Sequence, residues 1–210
     1  LRDRLGRVVE DVESIEPPRP GSDLASSIDL RIQYLAYREL KAAVQENRAD
    51  SGSVVVLDIA TGEVLAVVNQ PSFNPNDRSQ YKPRLFRNRA ITDILEPGSP
   101  AKPLVVAAAL ENEAFSPGSV VDTSPGAIRV GSKLITDKHN LGRIDLATLL
   151  AKSSNVGATK VAMQLERAAL WSAFDGFGVG RLTGSGFPGE STGVLPHYQN
   201  WRQITQATLA

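Results

Sequence analysis

The chain has 210 residues, 41% apolar and 22% charged, enough for one ordinary globular domain with a sizeable core and a small appendage. Lys plus Arg equals Asp plus Glu at 23 each, so charge does not suggest a nucleic-acid or anionic-membrane partner. The absence of cysteine excludes disulfides, thiolate metal sites and cysteine nucleophiles, and is compatible with an oxidising compartment without proving one.

Residues 1–23 are charged and then proline-rich, with Pro17-Pro18-Arg19-Pro20-Gly21 as a stiff connector, and read as the tail of a preceding module. Asp29 is placed to cap a helix over about 30–47, whose apolar positions Leu30, Ile32, Leu35, Ala36, Leu40, Ala43 and Val44 fall largely on one stripe. Ser53–Ile59 and Glu63–Asn69 are rich in Val, Ile and Leu and flank Ala60-Thr61-Gly62, which predicts a β-hairpin. Residues 70–89 are polar and proline-bearing, a surface excursion. Lys102–Glu111 predicts a buried helix because it is almost wholly apolar.

Gly126–Thr136 alternates and turns at Gly131-Ser132, a small hairpin. Asp145–Lys152 and Val156–Leu165 predict two helices separated by Ser153-Ser154-Asn155, and the glycine-rich 176–193 predicts a loop. A helix-like segment, Gln203–Ala210, runs to the last residue without a stop signal. The order of elements predicts an α+β fold, an antiparallel sheet covered by helices. The longest apolar run, Leu104 to Leu110, is far short of the roughly 20 residues that span a bilayer. No signal peptide opens the chain. Leu1-Arg2-Asp3 is not a natural start, so an upstream segment, including any anchor, is expected.

Glu96-Pro97-Gly98-Ser99-Pro100-Ala101-Lys102 carries the most chemistry. Pro97-Gly98 makes a turn and Pro100 suits the first turn of a helix, which puts Ser99 at a helix N-terminus. Lys102, three residues on, returns to the same face. A serine hydroxyl needs a proton acceptor before it attacks, and a lysine neutralised by burial and by the positive end of a helix can serve. The Ser99 N–H would supply half of an oxyanion hole. The alternative is a helix cap beside a solvated lysine, and the apolar helix that follows weighs against it. Ser153-Ser154-Asn155 forms a second element, S-x-N, which can present the Ser153 hydroxyl for proton relay and the Asn155 amide to a substrate peptide. Its alternative is ordinary capping of the next helix.

With these motifs, EPGSPAKP (96–103), AKSSNVG (151–157), SIDLRIQYLAYREL (27–40), LDIATGEVLAVVNQPSFNPN (57–76) and GSGFPGE (184–190) together resemble the transpeptidase domain of class B penicillin-binding proteins, in particular the division-septum type of Gram-negative bacteria. The resemblance implies a penicillin-binding/β-lactamase-like fold over 24–210 and makes residues 1–23 the end of the family's non-catalytic pedestal. It implies a serine D,D-transpeptidase that cross-links peptidoglycan stem peptides during septal synthesis and is acylated by β-lactams. Ser99 carries over as nucleophile, Lys102 as general base, Ser153 as proton shuttle and Asn155 as substrate binder, with no cofactor and no metal. The expected location is the periplasmic face of the inner membrane, among other cell-division membrane proteins.

Two departures stand out. The family's K-[ST]-G motif is absent, since no lysine here is followed by Ser-Gly or Thr-Gly, and Pro100 replaces a small polar residue. The family's chain would continue past Ala210, and the isolated chain is therefore expected to be poorly folded or inactive without the remaining strands. Other readings are a β-lactam-hydrolysing or -sensing serine domain, against which the 27–47 helix and the division-type motifs argue, and a non-catalytic cell-division scaffold. His139 and His197 lack metal-ligand or triad spacing, Lys152 reads as a solvated helix end, and Arg84, Arg87 and Arg89 as a wet surface run.

Overall fold

The computed structural model describes residues 2–9, 19–77, 79 and 82–209. Part of the proline connector, Pro17 and Pro18, lies outside the described residues. Two compact units divide the chain, Leu1–Pro71 and Ser72–Ala210.

In the first unit, helix α1 (Leu30–Glu46) starts at Asp29, whose carboxylate accepts from the Arg31 and Ile32 N–H groups. Capping of this kind satisfies donors that the first turn leaves without partners. Strands β1 (Gly52–Leu57) and β2 (Val64–Gln70) form the expected antiparallel hairpin, with Val54 opposite Val68 and an irregularity between Val56 and Leu57. The helix is tied to β2 by backbone and side chain. Asp29 N–H donates to Leu65 O at 2.9 Å, and the Gln33 amide donates to Val67 O at 2.8 Å while accepting from Val67 N–H at 2.9 Å. α1 approaches β1 closely at Gly52, where a Cβ would lie 2.9 Å from Leu40 Cδ1 and 3.0 Å from Val44 Cγ2.

The second unit holds the single-turn helix α2 (Arg89–Thr92) and the apolar α3 (Lys102–Glu111), followed by two small antiparallel pairs and four further helices. Strand β3 (Val120–Asp122) pairs with β6 (Arg143–Asp145), and β4 (Ala127–Val130) pairs with β5 (Lys133–Thr136) in between. Helices α4 (Leu146–Lys152), α5 (Asn155–Gln164), α6 (Arg167–Gly176) and α7 (Gln203–Thr208) complete it. The core is built around α3, α5 and α6, with Val105, Ala109, Leu149, Val161, Ala162, Leu170 and Phe174 all at or near zero exposure. The nearly all-apolar α3 is buried over Val105, Val106, Ala108 and Ala109, as its composition predicted, while Pro103, Leu110 and Glu111 stay exposed.

Helices plus antiparallel pairs agree with the α+β expectation, and residues 184–193 are loop. Helix α6 was not foreseen. Its Leu170 and Phe174 lie four apart and face the core, but the Gly176 that ends it was counted with the glycine-rich loop beyond. Among the described residues, no helix is long and apolar enough to cross a membrane.

Candidate active site

Three segments of the second unit converge on Ser99. The first is the entry to α3. Gly98 adopts φ 63° and ψ −145°, a conformation essentially reserved for glycine, and this reversal leads into a single 3-10 turn, Ser99–Ala101. Pro100 sits in that turn, where its missing N–H costs nothing. The α-helix proper begins at Lys102, so Ser99 stands one turn ahead of it rather than on its first residue.

The second segment is the junction of α4 and α5. Asp145 caps α4 through Thr148 N–H, and Ser153 ends α4 in the left-handed conformation at φ 54°. Ser154 caps α5, accepting from Gly157 N–H at 2.8 Å. Asn155 is the first residue of α5 rather than a member of a free link. The reversal at Ser153 points its hydroxyl back toward the turn that carries Ser99.

The geometry that results is tight. Lys102 Nζ lies 3.2 Å from Ser99 Oγ, 3.0 Å from Ser153 Oγ, 2.8 Å from the Ser153 carbonyl and 2.6 Å from Asn155 Oδ1. Ser153 Oγ is also 3.0 Å from Ser99 Oγ, so the two hydroxyls and the amine form a closed triangle. Lys102 is only 3% exposed while Ser99 is exposed, so a buried amine sits beneath a reachable hydroxyl.

Burial removes water from the ammonium and lowers the Lys102 pKa, an effect partly opposed by the negative charge of Asp137. Lys102 Nζ donates to Asn155 Oδ1, the Ser153 carbonyl and both hydroxyls; once deprotonated it would keep two N–H groups for Asn155 Oδ1 and the Ser153 carbonyl and turn its lone pair to the Ser99 hydroxyl. The arrangement can therefore take a proton from Ser99 and pass one through Ser153.

The third segment is the stretch after β5. Asp137 accepts from Ser154 Oγ at 2.6 Å, Asn155 N–H at 2.5 Å and Val156 N–H at 3.0 Å. A carboxylate is well placed at the positive N-terminal end of α5, and here it fixes the junction that carries Ser153 and Asn155. The neighbouring Thr136 carbonyl accepts from Asn155 Nδ2 at 2.9 Å, so both ends of the Asn155 amide are held by the protein. A cleft of 330 Å³ opens over this assembly, lined by Ser99, Ser153, Asn155 and Leu141, with Lys138, His139 and Lys152 exposed along it.

The sequence pattern of the penicillin binding protein transpeptidase domain matches residues 52–210. The chain belongs to this family. Among curated relatives of this transpeptidase domain, the peptidoglycan D,D-transpeptidase FtsI of Escherichia coli (strain K12) is 44% identical over 209 residues, covering 100% of this chain and 35% of the relative. The probable peptidoglycan D,D-transpeptidase PenA of Neisseria flavescens is 40% identical over 212 residues, covering 100% of this chain and 52% of the relative. The transpeptidase domain of penicillin-binding protein 3 from Burkholderia pseudomallei superposes with a TM-score of 0.77 at 39% identity, over 91% of this chain and 53% of that one. The chain thus spans between about a third and about half of the length of these relatives.

All four site residues read from the two motifs meet in this transpeptidase domain. Asp137 did not emerge from the sequence, because a single Asp after a hairpin carries no spacing signal. The one available signal is the α5 N-terminus itself, which offers more N–H donors than Ser154 alone satisfies. His139, which lacks metal-ligand or triad spacing, lies along the cleft. Among the described residues, no cluster of three or more His, Asp or Glu is arranged to hold a metal ion.

Proposed function

We propose that this chain carries the nucleophile, the base and the proton relay of a peptidoglycan D,D-transpeptidase active in septal cell-wall synthesis. The observation that carries the reading is the triangle of Ser99 Oγ, Lys102 Nζ and Ser153 Oγ, with edges of 3.0–3.2 Å around a buried amine. In the proposed reaction, Ser99 Oγ forms a bond to the carbonyl carbon of a D-Ala-D-Ala peptide bond while its proton passes to neutral Lys102. The C–N bond then breaks, and the departing D-Ala amine takes a proton from Lys102 through the Ser153 hydroxyl. An amine from a second stem peptide attacks the ester, loses a proton by the reverse route and frees Ser99.

The Ser99 N–H is proposed as one oxyanion donor, and one such donor is typically worth roughly 10²–10³ in rate. Asn155 is proposed to meet the substrate peptide, a role that requires its Nδ2 to exchange Thr136 O for a substrate carbonyl. Residues 1–23 are proposed as the end of a non-catalytic pedestal. A periplasmic site at the inner membrane and contacts with other division proteins belong to the same proposal.

The test is intact mass after incubation with a fluorescent penicillin, applied to the 210-residue chain and to a longer protein that contains it. A stable adduct that disappears in Ser99→Ala supports the assignment. No adduct on either form would reduce Ser99 to a structural turn residue.

A further inference from the structure

The GSGFPGE stretch (184–190) supplies no residue to the cleft lining over Ser99. Resting on the reading of Ser99 as nucleophile, we infer that the loop at 183–191 braces the chain segment that delivers it, with Ser191 as a positioning residue. Ser191 meets α2 across 99 positions of sequence. Its N–H donates to Ile91 O at 3.0 Å and its hydroxyl to Thr92 O at 2.8 Å. Both carbonyls lie at the end of a single-turn helix, where intrahelical donors run out. A loop remote in sequence thus supplies two of the donors that finish α2.

Glu190 holds Ser191 in place. Its carboxylate accepts from Thr183 N–H at 2.6 Å and from Ser185 Oγ at 3.0 Å, closing the loop on itself. On α2, Asp93 pairs with Arg87 and, at 3.0 Å, with Arg89, so the end of the helix is fixed from two directions. Beyond it the support stops. Residues 94–98 are exposed, and among the described residues 94–97 make no hydrogen bond or ion pair. Pro97 locks its own φ and keeps Glu96 extended, which leaves this strap little slack. A displacement at Thr92 is therefore carried along to Ser99 rather than absorbed by neighbours. Ser99 Oγ stands 3.2 Å from Lys102 Nζ, and small misplacements of a reacting group are costly in rate.

The test follows acylation by a fluorescent penicillin in the longer protein that contains this chain. Two quantities are read, the dissociation constant of the first complex and the rate constant of the covalent step. In that step Ser99 Oγ forms the ester, the lactam C–N bond opens and the ring nitrogen takes up the proton. Ser191→Ala should slow it roughly threefold to tenfold, the range that one neutral hydrogen bond supplies. The dissociation constant should hold, since the cleft lining is untouched. Ser191→Thr keeps the hydroxyl and should restore the rate. Glu190→Ala opens the loop and should slow the same step. Combined with Ser191→Ala it should add nothing beyond the larger single effect, because both act through one brace.

An unchanged covalent rate in both single variants overturns the inference, as does a Ser191→Thr variant as slow as Ser191→Ala. Effects that multiply in the double variant, or a loss confined to the dissociation constant or to Tm, overturn it too. Failure of the unsubstituted protein to acylate at Ser99 would instead remove the nucleophile assignment, and this inference with it.

Discussion

Replacing Asp137 separates its structural role from its electrostatic one. Asp137→Ala removes the acceptor of three hydrogen bonds, from Ser154 Oγ, Asn155 N–H and Val156 N–H. Hydrogen bonds to a charged group contribute about 1.5–3 kcal/mol each, but Asp137 is only half-buried and water can replace part of them. Ser154, 1% exposed, has no such recourse. Counting that bond at about 2 kcal/mol and the two backbone donors at about 0.5 kcal/mol each gives a destabilisation of about 3 kcal/mol. For a domain of this size that corresponds to a Tm lower by roughly 6–12 °C. Asp137→Asn keeps one carbonyl acceptor and should lose about half as much.

The electrostatic readout is independent of folding. The Asp137 charge raises the Lys102 pKa against the lowering by burial, so removing it lets Lys102 fall further. If neutral Lys102 is the base, the rising limb of the acylation rate against pH must move to lower pH in Asp137→Asn. The assay is β-lactam labelling followed by intact mass across pH, with a thermal melt in parallel. A Tm within about 2 °C of the parent for Asp137→Ala would refute the clamp. A limb that stays in place, or moves to higher pH, would refute the coupling to Lys102.

In the unsubstituted protein the acylation rate should rise with pH and level off below the ordinary lysine range, because burial lowers the Lys102 pKa. Lys102→Arg keeps the charge but cannot give it up, and should lower the second-order acylation rate by roughly 10²–10⁴ without abolishing reversible binding. The same lowered pKa means that the folded state binds fewer protons than the unfolded one. Stability should therefore rise with pH between the folded value and 10.5, a slope that Lys102→Met removes in urea titrations across pH. Gly157→Val should destabilise markedly and also reduce labelling, since even a Cβ would lie 2.9 Å from both Leu149 Cδ1 and Ser154 Oγ; a Tm equal to the parent's would refute that packing. Leu149→Ala, at a position with no exposure, should cost about 2–5 kcal/mol in chemical denaturation, and a loss below 1 kcal/mol would mean the core around α3 is looser than described.

Local chemistry was enough for most elements of this protein. Asp29 before an apolar stripe, the Val-rich runs around Ala60-Thr61-Gly62 and the unbroken apolar run after Lys102 each specify their element with short-range information, and α1, the β1–β2 hairpin and α3 lie where those patterns put them. The pair of motifs likewise named Ser99, Lys102, Ser153 and Asn155, because their spacing and residue types are written in consecutive residues. What no local pattern holds is the distance across the fold. Ser153 stands 54 positions from Ser99, and packing of α3 against α4 and α5 brings their hydroxyls to 3.0 Å. The same packing seals Lys102 from water and so sets its proton affinity, a property of the enclosure rather than of the residue. Asp137 shows the limit most clearly. An aspartate among polar loop residues becomes the clamp of the site only because the fold sets the stretch after β5 against the N-terminus of α5.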